Sequence, residues 1–77
     1  MLDQTATSLL AEAIENAEIS VEMEGNHCHV HIVAAAFEGL RKLKRQQMVY
    51  GALNALIASG EVHAVHMQLF TPEEASA

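Results

Sequence analysis

A small α+β domain with the order α-β-β-α(α)-β is predicted by three features of the chain. Apolar residues recur at three- and four-residue steps in two stretches, and apolar and polar residues alternate strictly in three others. A Gly-Asn pair separates the first two alternating runs, which marks a β-hairpin. A three-stranded sheet with helices packed on one face buries a single core and suits a single domain of 77 residues.

The first helix is expected over residues 5–17, where Ala6, Leu9, Leu10, Ala13, Ile14 and Ala17 form one stripe and Glu12 and Glu15 lie outside it. Asp3 or Thr5 offers an N-cap oxygen. Over residues 19–24, Ile19, Val21 and Met23 share one face and Ser20, Glu22 and Glu24 the other. After Gly25-Asn26 the alternation resumes, with Cys28, Val30 and Ile32 turned one way and His27, His29 and His31 the other. Residues 34–40 leave the strand register, and Gly39 marks a bend before a helix that starts near Leu40 or Arg41. Leu43, Gln46, Val49, Tyr50, Leu53, Leu56 and Ile57 follow helical steps, with a bend or break expected at Gly51. Ser59-Gly60 stops the helix. A third strand is expected over residues 62–70, with His63, Val65, Met67 and Leu69 toward the helices and Val62, Ala64, His66, Gln68 and Phe70 away from them. Residues 71–77 read as a loose C-terminal tail, in which Thr71-Pro72-Glu73-Glu74 can open one last helical turn.

Ten carboxylates face only four cations, for a formal charge of −6. All four cations, Arg41, Lys42, Lys44 and Arg45, fall within residues 41–45. Their position opposes the helix macrodipole, so helix stability does not explain them. They form the candidate surface for a partner or for nucleic acid, set against plain solvation of a helix face. No apolar run is long enough for a membrane helix, and the N-terminal residues lack the pattern of a secretory signal. A cytoplasmic protein is expected. The single cysteine, Cys28, cannot form an internal disulfide. A homodimer remains compatible with the sequence.

Histidine is the compositional oddity, at five of 77 residues. His27, His29 and His31 project from one strand face, where imidazoles in i, i+2 relation can share a metal ion or can merely face solvent. There is no Ser-His-Asp ordering, Gly-rich phosphate loop or Cys-x-x-Cys, so no enzyme activity is expected.

Phe37-Glu38-Gly39, the basic segment running into Lys44-Arg45-Gln46-Gln47-Met48-Val49-Tyr50, Val62-His63-Ala64, and Leu69-Phe70-Thr71-Pro72-Glu73-Glu74 together resemble the BolA family. The likeness is greatest to its short bacterial branch of the IbaG/YrbA type and spans nearly the whole chain. It implies a KH-like α+β fold, in agreement with the element order. It also implies that His63, in the Val-His-Ala setting, ligates an iron–sulfur cluster, with a second ligand from the Gly25-Asn26-His27-Cys28 loop. His27 is favoured there, and Cys28 is the alternative, since thiolates suit such clusters but its parity points toward the core.

The implied function is that of an adaptor. BolA-like proteins pair with monothiol glutaredoxins, whose cysteine and bound glutathione would complete a shared, bridging [2Fe–2S] cluster. The alternative is a small KH-like DNA-binding regulator that uses Arg41, Lys42, Lys44 and Arg45. No Gly-x-x-Gly loop of the kind that clamps single strands lies between the helices. The chain also departs from many relatives in its short tail, where they carry a tryptophan after the Thr-Pro step.

Overall fold

The computed structural model describes residues 2–76. Its elements are α1 (Leu2–Ala13), β1 (Glu18–Glu24), β2 (His27–Val33), a 3₁₀ turn (Ala35–Phe37), α2 (Lys42–Ala58), β3 (Ala64–Phe70) and α3 (Pro72–Ser76). The sheet order is β1-β2-β3. β1 and β2 pair antiparallel, while β2 and β3 pair parallel across the α2 crossover. α1 packs on β1 and α2, and α2 packs on β3. The α+β class expected from periodicity is the fold observed.

α1 starts earlier and ends earlier than its apolar stripe. Asp3 and Thr5 lie inside it, so neither is the cap residue. Ala6 and Leu10 are its buried residues, and Ile14, just past its end, continues the row. The helix stops because Asn16 takes a left-handed conformation (φ 54°), which asparagine tolerates better than most side chains. At the hairpin, Glu24 pairs with His27, so the connection is the two residues Gly25-Asn26. Gly25 has φ 61°, and Asn26 is not among the residues with positive φ, the pattern of a II′ turn.

β2 is the central strand, and its parity is as the alternation predicts. Cys28, Val30 and Ile32 are buried, and His27, His29 and His31 are exposed. α2 is one unbroken helix of 17 residues, with no interruption at Gly51. Gly51 is exposed and nothing lies within 4 Å of a Cβ built on it, so no packing demand bends the helix there. Val49, Leu53 and Leu56 face the core. Leu43 and Tyr50 are 66% and 47% exposed, because they stand roughly 100° round the helix from that buried row.

The third strand begins two residues later than the alternation suggests. After Gly60 (φ 82°) the backbone bends through residues 61–63, and the Val62 amide donates to the Leu56 carbonyl at the end of α2 (3.2 Å). That bond holds Val62 inward, 1% exposed, whereas His63 is exposed rather than in the core-facing row. Val65, Met67 and Leu69 still pack against the core.

The stretch expected as a loose tail is a short helix over Pro72–Ser76; Ala77 lies outside the described residues. A reciprocal capping box starts it. The Glu74 amide donates to Thr71 Oγ1 (3.1 Å) and the Thr71 amide to Glu74 Oε1 (2.8 Å).

Replacing Gly51 by alanine removes backbone freedom from the unfolded chain at a position with open space around it. The variant is expected to gain about 0.4–1 kcal/mol of stability, read as a higher urea midpoint with unchanged slope.

Candidate functional site

The segments that carry two predicted ligands lie side by side at one end of the sheet. His27 is the first residue of β2, directly after the hairpin turn, and its partner across the parallel seam is Ala64. His63 precedes that partner, and its amide donates to the carbonyl of Asn26 (2.8 Å). The two histidine backbones are thereby fixed at one rim, and both side chains are exposed. Their rings take different neighbours. His63 Nε2 lies 4.0 Å from where a Cβ on Gly60 would stand, beside the end of α2. His27 Nδ1 is hydrogen-bonded to His66 Nε2 at 3.1 Å on the open face of the sheet.

Cys28 is enclosed by the core at 0% exposure. Burial pushes its thiol pKa up, which disfavours the thiolate a metal requires. Of the two loop candidates, only His27 reaches solvent.

The open face holds a residue that sequence reasoning did not single out. The parallel register sets His29 opposite His66. Their rings stack with centroids 4.6 Å apart and planes 13° from parallel, while His27 and His66 stack at 5.4 Å. His31 stands apart from this group, tilted against Phe70 at 5.5 Å. His66 shared the polar side of its strand in the alternation; what no local pattern supplies is which residue of β2 it meets.

The basic cluster divides. Arg41 is the N-cap residue of α2, and Lys42 and Lys44 point to solvent from its first turn. Arg45 is instead a structural tie, with a side chain only 12% exposed. Its Nε donates to the Leu40 carbonyl (3.0 Å), and Nη1 donates to the Leu69 carbonyl (3.3 Å) and to Glu74 Oε1 (2.7 Å). Its guanidinium carbon is 5.7 Å from the Phe37 ring centroid. Arg45 is therefore withdrawn from the surface expected to meet a partner or nucleic acid, because α3 and the β3 carbonyl use its donors.

The family profile described as BolA-like protein matches residues 5–74. The chain belongs to the BolA-like family. It is 43% identical over 74 residues to an uncharacterized protein from the rpoN-murA intergenic region of Acinetobacter guillouiae, covering 96% of this chain and 89% of that one. It is 39% identical over 67 residues to the acid stress protein IbaG of Escherichia coli K12, covering 87% and 80%. A third BolA-like relative, named DNA-binding transcriptional regulator BolA in Haemophilus influenzae, is 38% identical over 65 residues, covering 80% and 62%. The solved BolA domain of SufE1 from Arabidopsis thaliana superposes with a TM-score of 0.86 at 26% identity, covering 95% of this chain and 94% of that one. Among the described residues of this BolA-like chain, no helix is long and apolar enough to cross a membrane.

The Arg45–Glu74 tie makes a pH prediction. The Arg45 hydrogen bond first, and the Thr71 amide second, lower the Glu74 pKa from 4.5 to about 2. A carboxyl depressed in the folded state stabilises it above the unfolded pKa, and that contribution is lost as pH falls through the folded value. The Thr71 amide resonance is expected to titrate with a midpoint near pH 2, and Glu74→Gln to abolish the step.

Proposed function

We propose that this BolA-like chain is a non-enzymatic adaptor that pairs with a monothiol glutaredoxin and co-ligates a bridging [2Fe–2S] cluster through His63 and His27. The observation that carries this reading is the 2.8 Å bond from the His63 amide to the Asn26 carbonyl, which holds both imidazole-bearing segments at one rim. Such a cluster needs four ligands in all. The chain has one cysteine, and it is buried. Two exposed imidazoles suit half of a shell whose sulfur ligands come from the partner's cysteine and a bound glutathione. Mixed ligation of this kind resembles the Rieske case, in which histidines raise the cluster potential.

The test is to mix the chain with cluster-loaded monothiol glutaredoxin and follow visible absorption and circular dichroism. A new spectrum is expected with the parent protein and its loss with His63→Ala, an exposed position whose substitution leaves the core intact. An unaltered spectrum on mixing would end the proposal.

DNA binding comes second. Its support is the name of one relative and the exposed group Arg41, Lys42 and Lys44 on a chain of net charge −6. With Arg45 tied to Glu74, a titration against duplex DNA is expected to show a salt slope of no more than about three phosphates; no binding at low salt removes this reading.

A further inference from the structure

The open face of the sheet carries a donor cluster that the rim does not use. Across the three strands, Glu22, His29 and His66 form one row, and Glu24 and His27 stand in the row nearer the hairpin turn. His27 Nδ1 and His66 Nε2 are 3.1 Å apart. Two imidazole nitrogens bound to one zinc at about 2.0–2.1 Å each are separated by about 2.9–3.4 Å. The pair already stands at the nitrogen spacing of a chelate, and a cation bound to both would sit to one side of the N–N line, with the rings turned to face it. His29 stacks on His66 at 4.6 Å, and Glu24 Oε1 lies 3.8 Å from His29 Nε2.

We propose that His27, His29 and His66, with Glu24 as fourth ligand, bind one borderline divalent transition-metal ion of the Zn²⁺ or Ni²⁺ kind on the open face of the sheet. Imidazole is the donor those ions favour. The acidic body concentrates cations near the face, and Glu22 beside His29 adds to the local negative charge. As the rings stand, no three donors among the described residues converge on one point. The four side chains are exposed and their backbones are already in register, so the site closes by side-chain rotation without a shift of the sheet. His27 is common to this face and to the rim. His29 and His66 belong to the face alone, and His63 to the rim alone.

That division makes the test specific. The untagged full chain, without glutaredoxin, is titrated with Zn²⁺ by calorimetry, and its histidine ring resonances are followed by NMR. One ion per chain at micromolar affinity or tighter is expected, with the largest shifts on the His29 and His66 rings. His66→Gln and His29→Gln are each expected to weaken binding by at least about tenfold, the loss that even outer-shell partners of a ligand produce. His63→Ala should bind as the parent does while losing the cluster spectrum. No binding at millimolar Zn²⁺, parent-like binding in His66→Gln, or shifts confined to His63 would each overturn the proposal.

Discussion

The parallel seam between β2 and β3 is the constraint on which the rest of this molecule depends. Parallel neighbours cannot be joined by a tight turn and need a crossover of a dozen residues or more. Here the crossover is the Ala35–Phe37 turn followed by α2. Its inward row, Val49, Leu53 and Leu56, shares the core with Val30 and Ile32 of β2. That packing fixes β3 in register beside β2, and the register alone sets His66 opposite His29 and Ala64 opposite His27. A slip of one residue in β2 would bury its histidines and expose Cys28, Val30 and Ile32. The apolar demand of one face therefore determines which imidazoles the other face presents.

A second tie acts at the far end of β3. Arg45 reaches from α2 to the Leu69 carbonyl and to Glu74, and Glu74 in turn caps α3 through Thr71. Residues 72–76 are held by a charge-assisted fork instead of apolar burial, for α3 buries none of its own residues. The cost is one quarter of the chain's cations, and what remains for a partner is a smaller patch on the first turn of α2.

Local chemistry makes much of this legible in the sequence. Two-residue periodicity placed Cys28 inside and His27, His29 and His31 outside, and Gly25-Asn26 located the hairpin, because both signals act over neighbours in sequence. What failed depends on contacts distant along the chain. Alternation extended back to Val62 predicts that His63 faces the core; the bond from Val62 to the end of α2 instead resets the parity after Gly60. In sequence Arg45 is like its three neighbours; what occupies it is Glu74, 29 residues on. Propensity predicts a bend or break at Gly51, yet the packing of Val49 and Leu53 on either side carries the helix through it. His66 lay on the correct face of its strand, and only the parallel register revealed its partners.

His27 stands where the two proposed sites meet. Its ring is engaged with His66 on the open face, whereas service at the rim would turn it toward the side of His63. That turn breaks one exposed hydrogen bond, a net loss of about 0.5–1.5 kcal/mol at most. A metal–imidazole bond would outweigh this, so the observed orientation is compatible with the proposed ligation at the rim. It does bias the resting state, because the bond to His66 holds the His27 imidazole on the open face, and the proposed adaptor role would require a partner to draw it away. A divalent ion on the face would strengthen that bias by replacing a weak proton bridge with coordinate bonds. The same ring cannot serve both, so under the two proposals occupancy of the face and cluster sharing at the rim would oppose each other through the His27 side chain.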